Sequence, residues 1–140
     1  MKIRGETEAS ALKLVRYGDP VAKARARVGR GHAYTPAKTA SAEETWRALF
    51  LESGHGGFPK DAALCLFLDV FLRRAPRNKR KAPTGRSDLD NYCKLVMDSL
   101  EGLAYRNDSQ IVQAIVRKRF AADADGPGGP RTELEIGPWR

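Results

Sequence analysis

Residues 62 to 72, Ala-Ala-Leu-Cys-Leu-Phe-Leu-Asp-Val-Phe-Leu, form an almost continuously apolar run. The run is too short to span a membrane, and its Leu, Val and Phe content suits a strand buried on both faces. It is the expected central strand of the fold. Asp69 interrupts it and reads as a partnered or edge carboxylate rather than a catalytic one, because no second acid neighbours it in sequence.

The flanking segments supply the remaining elements. Residues 11 to 17 are short and extended in character, and Gly18-Asp19-Pro20 stops them, which predicts a first strand. Residues 19 to 38 carry Lys23, Arg25, Arg27, Arg30 and Lys38 with no acid after Asp19, and Gly29, Gly31 and Pro36 argue for a loop. In an extended segment Lys23, Arg25 and Arg27 share one face. From Ser41 the pattern is helical: Ser41 is a candidate cap, Glu43 and Glu44 suit a first turn, and Trp46, Leu49 and Phe50 make an apolar stripe before Ser53-Gly54. After the central strand come Arg73, Arg74, Arg77, Lys79, Arg80, Lys81 and Arg86 among Pro76, Pro83 and Gly85, a basic loop with no acid.

A second helix is predicted from Ser87 or Asp88 to about Glu101, with Leu89, Cys93, Val96, Leu100 and Leu103 toward the core and Gly102 at its stop. Residues 110 to 120 alternate, Val112, Ala114, Val116 and Phe120 opposing Gln113, Arg117 and Arg119, as a half-buried strand does. Residues 125 to 130 read as a turn, and Thr132, Leu134 and Ile136 form a last strand, joined most simply as a closing hairpin. The order is strand, helix, strand, helix, strand, strand: a single α/β domain over residues 1–140, with a mixed sheet flanked by helices and with 1–10 and 138–140 as frayed tails.

Composition narrows the partners. With 140 residues the chain can bury a core without disulfides, and a net charge of +8 with a pI near 9.8 favours a polyanion, nucleic acid before anionic membrane. No spanning segment or cationic amphipathic helix stands out. Cys65 and Cys93 lie in apolar runs without zinc-site spacing, so both read as buried thiols in a reducing, cytoplasmic setting, and the N-terminus lacks the apolar core of a secretion signal. Asp123-Ala-Asp125-Gly126 reads as a turn rather than a calcium loop, His32 and His55 have no ligand partner at useful spacing, and Trp46 is a core residue.

Against this cationic background stand Asp88 and Asp90, Lys94 four residues further along the same helix face as Asp90, and Asp108 just before the third strand. Three aspartates at element ends are chemically adequate for Mg²⁺, which takes one or two carboxylates with waters and phosphate oxygens. Ser87-Asp88-Leu89-Asp90 fits a capping box equally well. Taken alone, Asp108 suits a turn, and Lys94 suits a solvated lysine weakly paired with Asp90.

The whole pattern is more specific. Asp88-Leu-Asp-Asn-x-x-Lys94, an apolar helix with Asp98, Gly102 and Tyr105, and then Asn107-Asp108-Ser-Gln-Ile-Val112 resembles the core of the RusA family of Holliday junction resolvases. Gly18-Asp-Pro20, Lys23-x-Arg25-x-Arg27 and Tyr34-Thr-Pro36 are similar to the N-terminal segment of phage-type members, so the resemblance covers roughly residues 11 to 137. It implies a homodimeric, Mg²⁺-dependent endonuclease, with Mn²⁺ as a substitute, that cuts four-way DNA junctions in paired incisions, encoded by a bacterium or a phage. Its metal-binding acids map onto Asp88, Asp90 and Asp108, its catalytic lysine onto Lys94, and a supporting residue onto Asn91. Some members carry an acid where this chain has Asn107, and the basic stretch from Arg73 to Arg86 is longer than expected.

Lys23, Arg25, Arg27, Arg73, Arg74, Arg77, Lys79, Arg80, Lys81 and Arg86 are the candidate DNA contacts, reading phosphates and junction shape more than base edges. The competing reading is a non-catalytic basic protein that binds branched or duplex DNA, with the aspartates as helix caps; a metal-dependent ribonuclease is a third.

Overall fold

The computed structural model describes residues 10–24, 27–29, 32–34, 36–85, 87–121 and 128–140, with 27–29 and 32–34 described by backbone alone. The elements in chain order are β1 (Leu12–Tyr17), β2 (Arg27–Gly29), β3 (His32–Tyr34), α1 (Ala37–Ser53), β4 (Leu64–Leu72), α2 (Leu89–Leu100), β5 (Ile111–Phe120) and β6 (Arg131–Pro138). β1, β6, β4 and β5 form one mixed sheet in that order, and β2 and β3 form a small antiparallel pair.

β4 is an interior strand, as its composition predicts. It pairs in parallel with β5, reached through the α2 crossover, and antiparallel with β6. Leu64, Leu66, Leu68, Val70 and Leu72 project to one face and are buried against both helices, where Trp46, Leu95 and Leu100 also lie. Leu12 and Leu14 on β1, opposite Ile136 and Leu134 on β6, extend that face to the far edge. The other face of β4 is not uniformly covered. Cys65 and Phe71 are buried, but Phe67 is 41% exposed and Asp69 is half-buried. Asp69 accepts a two-pronged bond from its cross-strand neighbour Arg117, Nε at 2.9 Å and Nη2 at 3.1 Å, so it is the partnered carboxylate expected. Phe71 is shielded by guanidinium groups, Arg131 at 4.0 Å and Arg119 at 4.8 Å from its ring centre.

Five expectations are corrected. β5 and β6 are not a hairpin: β4 lies between them, and the chain between Phe120 and Arg131 is long enough to skip a strand, so Leu134 and Ile136 meet Leu68 and Leu66 instead. The segment read as a loop over 19–38 contains β2 and β3, whose three-residue strands are too short to show a period. α1 begins at Ala37, with Pro36 at the cap position and its ring pre-setting the backbone, so Ser41 lies inside the helix and its carbonyl accepts from Thr45 Oγ1 at 3.0 Å. The stop is as predicted, Gly54 adopting φ 74°. α2 buries Tyr92, Cys93, Leu95, Val96, Ser99 and Leu100, but Leu89 and Leu103 are each 38% exposed, because neither end of the stripe reaches the sheet. Of the face expected to be buried on edge strand β5, Val112 and Ala114 are likewise exposed, and only Phe120 at its far end is buried.

Cys65 and Cys93 are free buried thiols and Trp46 is a core residue, as expected. His55 is fixed structurally, Nε2 lying 2.6 Å from the Ser10 carbonyl and Nδ1 accepting from the Gly57 N–H. The His32 side chain and the Asp123–Asp125 turn lie outside the described residues. Among those described, no helix is long and apolar enough to cross a membrane. Leu66 is wholly buried at the centre of the sheet. Leu66→Ala should therefore cost about 2–5 kcal/mol in urea unfolding, whereas Leu51→Ala, on the exposed side of α1, should cost under about 0.5 kcal/mol.

Candidate functional site

α2 carries the charged constellation. Asp88 occupies its N-cap position in an extended conformation, φ −62° and ψ 144°, yet its side chain makes no capping hydrogen bond. Asp90 follows in the first turn, where the positive end of the helix favours an acid. Both residues are exposed, and neither carboxylate has a hydrogen-bond or ion-pair partner among the described residues. The capping explanation thus lacks its bond.

The lysine is paired differently from the sequence-based expectation. Lys94 Nζ lies 3.6 Å from Asp98 Oδ2, toward the C-terminal side, and not against Asp90. Asp98 also receives Lys23, 3.3 Å away, and Lys23 in turn donates to Glu43 Oε2 of α1 at 3.0 Å. The Lys23 backbone N–H donates to the Asn91 carbonyl at 2.8 Å, so the segment after β1 is strapped across α2. Burial lowers the affinity of the Lys23 ammonium for its proton, but the bonds to Glu43 and Asp98 outweigh it and the net shift is upward. Lys23 is therefore a structural cation rather than the exposed DNA contact expected of it. Burial and the nearby Asp90 push the Cys93 thiol up, which leaves it inert.

Asp108 opens a 3-10 turn, Asp108–Gln110, that is held on three sides. Asn107 caps it by accepting from Ser109 N at 2.9 Å, while Gln110 Oε1 accepts from the Arg106 and Asn107 N–H groups. Gln110 Nε2 reaches the carbonyls of Pro59 at 2.9 Å and Ala62 at 3.0 Å. Asn107 thus has a local structural task. The Asp108 N–H donates to Glu101 Oε2 at 2.8 Å, and its carboxylate has no partner among the described residues.

The three aspartates do not converge within one chain. Lys118 Nζ, late in β5, donates to the Ser87 carbonyl at 3.0 Å, whereas Asp108 precedes β5 and is tied to Glu101 past the end of α2. α2 therefore runs against β4 and β5, and its 12 residues, about 18 Å long, lie between the Asp88–Asp90 pair and Asp108. No group of three or more His, Cys, Asp or Glu side chains among the described residues is arranged to hold a metal ion. The pair alone still matches what Mg²⁺ takes from a protein: two unpartnered, exposed carboxylates that leave room for water and phosphate oxygens.

The basic loop after β4 divides by role. Arg74 organises it, donating to the carbonyls of Arg80 at 2.6 Å and Asn78 at 3.3 Å while stacking 3.9 Å from the Phe120 ring centre. Arg80 donates to Thr84 Oγ1 and Arg73 pairs with Asp19 at 3.3 Å. Arg77, Lys79 and Lys81 are exposed with no partner among the described residues. Arg25 and Arg86 lie outside those residues, and Arg27 is placed only as the first residue of β2. A cavity of about 430 Å³ lies between the segment after β1 (residues 19–24), the start of α1 (Lys38 and Thr39) and the start of α2 (Ser87 and Asn91), and touches the basic loop only at Arg73.

The family model described as Endodeoxyribonuclease RusA matches residues 17–136, nearly the whole chain. The chain belongs to the RusA family of Holliday junction resolvases. The uncharacterized protein YqaN of Bacillus subtilis (strain 168) is 30% identical over 142 residues, covering 89% of this chain and 94% of that protein. RusA membership makes the chain an endodeoxyribonuclease acting on DNA. Glu43, Asp98 and Glu101 are charged neighbours of these residues to which the sequence reading gave no site role, although it named Asp98 within the RusA-like pattern. Only the Lys94–Asp98 spacing of four gave a signal for one of them.

Tyr105 sits under this face, its hydroxyl donating to the Met97 carbonyl at 2.6 Å. Burial, with Asp108 and Glu101 next, pushes its phenol well above the ordinary value of 10. A pKa raised on folding contributes stability that is complete below that ordinary value and is lost as pH climbs above it. Tyr105→Phe should cost about 1–2 kcal/mol at neutral pH in urea unfolding, and should flatten the stability loss that the wild type shows above pH 10.

Proposed function

We propose that the protein is a homodimeric, Mg²⁺-dependent resolvase that cuts four-way DNA junctions at two symmetry-related strands. The observation that carries this reading is the unpartnered, exposed Asp88–Asp90 pair at the start of α2 in a chain of net charge +8. Carboxylates so placed repel DNA phosphates unless a cation stands between them, whereas structural acids in this chain, Asp69 and Asp98 among them, have found partners. The competing reading, a DNA-binding protein whose aspartates cap a helix, requires a cap bond that Asp88 does not make.

Asp88 and Asp90 are the residues assigned to hold Mg²⁺. When bound, the ion supplies polarisation of the scissile phosphate and a water of lowered pKa. Lys94 is the cation assigned to stabilise charge gathering on the phosphate oxygens, from one helical turn beyond Asp90. Asn91, half-buried with its carbonyl committed to Lys23, fixes the strap beside the acids. Asp108 stands apart within one chain, so its role as a third ligand is assigned to the assembled dimer. Arg77, Lys79 and Lys81 hold neighbouring phosphates, an arrangement that reads the backbone and the junction's shape in preference to bases. A two-fold dimer presents two equivalent acid pairs to a two-fold junction. The free buried thiols fit a reducing cytoplasm, in a bacterium or a phage-infected one.

The test is strand-resolved cleavage of a synthetic four-way junction, with Mg²⁺ or EDTA, beside a linear duplex of the same sequence. Symmetric nicks confined to the junction and to the metal are expected, Mn²⁺ substituting. Asp90→Asn should remove cleavage while junction binding in EDTA is kept or strengthened, because a negative charge beside the phosphates is gone. Tight binding without incision in either metal would leave the DNA-binding reading in its place.

A further inference from the structure

We propose that Asp98 is a positioning residue that keeps the Lys94 ammonium off Asp90, leaving Asp90 open to a divalent cation. The inference rests on the assignment of the metal to the Asp88–Asp90 pair. Lys94 lies four residues after Asp90 and four before Asp98, so either acid is a possible partner. Two general preferences favour Asp90. An acid on the N-terminal side of a lysine makes the better helical pair, and helical side chains lean toward the N-terminus. Lys94 nevertheless takes Asp98, with Nζ to Oδ2 at 3.6 Å.

The reason lies in what holds Asp98. Its side chain is 26% exposed and is anchored by Lys23 at 3.3 Å, and Lys23 is anchored by Glu43, 3.0 Å away on α1. The backbone N–H of Lys23 is fixed to Asn91 as well. Asp98 is therefore pre-ordered, and Lys94 gives up little freedom by joining it, whereas pairing with Asp90 would order two mobile side chains in open solvent. Glu43, Lys23 and Asp98 are a relay of fixed charges from α1 whose outermost member decides which way Lys94 turns. With the ammonium drawn toward Asp98, both oxygens of Asp90 remain available.

The test is a double-mutant cycle read by calorimetric Mn²⁺ titration of the full-length protein, without DNA and without turnover: wild type, Asp98→Asn, Lys94→Met and the pair. Removing one negative charge weakens cation binding equally whether or not Lys94 is present, so additive charge effects cancel. Release of Lys94 onto Asp90 adds a loss only when the lysine is present. The expected result is that Asp98→Asn weakens Mn²⁺ at least about twofold more in the Lys94 background than in the Lys94→Met background. Equal losses in the two backgrounds overturn the proposal. Asp98→Glu, which keeps the charge, should leave the affinity within twofold of wild type. Should Asp98→Asn unfold, Lys23→Met removes the anchor of Asp98 while leaving Lys94, Asp98 and Asp90 unsubstituted, and should show the same coupling to Lys94→Met, its absence again overturning the idea. If Asp90→Asn abolishes Mn²⁺ binding while the cycle is additive, only this inference falls. If Asp90→Asn leaves the affinity unchanged, the metal assignment falls and takes this inference with it.

Discussion

Burial of β4 is the constraint from which the architecture follows. An interior strand needs a neighbour on each edge to satisfy its backbone, and its Leu64–Leu72 face needs an apolar cover. β5 meets the first need through a parallel crossover, β6 meets the second edge, and α1 and α2 cover one face. A crossover helix between parallel strands must run back against them. The direction of α2, and with it the place of every charged residue on that helix, is thus settled by hydrophobic packing on the sheet rather than by anything the charges do.

That origin explains which parts of the molecule the sequence discloses. β4, α2 and β5 announce themselves through period and composition, and the RusA-type run of Asp88, Asp90, Asn91 and Lys94 can be read directly because its members are local. The sheet order could not be read the same way. Leu134 and Ile136 alternate identically whether they pair with β5 or with β4, and the intervening segment suits a turn in both cases. Likewise the bond from Lys23 to Glu43 spans 20 residues and its pair with Asp98 spans more, so an alternation of cations that looks like a DNA-facing strand conceals an internal strap. The separation of Asp108 from the other acids depends on helix direction and length, properties that appear only once α2 is docked.

The electrostatic design has two tiers. Charges with a structural task are matched inside the chain: Asp69 with Arg117, Lys23 with Glu43 and Asp98, Arg131 with Glu133. Among the described charges without such a match are the Asp88–Asp90 pair at one end of α2 and Arg77, Lys79 and Lys81 in the loop that precedes it. Unpaired carboxylates close in sequence to unpaired cations have the composition that a phosphodiester with a divalent cation would complement.

The position of β6 between β1 and β4 also sets an order of events during synthesis. β6 follows every other described strand in the sequence, yet β1, the first of them, pairs with β6 alone among the described strands. Until residues 131–138 emerge, β1 has no strand to bond and β4 keeps one edge open. Elongation at about 5–20 residues per second leaves that edge bare for several seconds, an interval in which a second nascent chain could pair with it. The β1–β6 pairing joins strands more than a hundred residues apart, so β1 docks only after residues 131–138 are made, and truncation inside β6 detaches β1 as well.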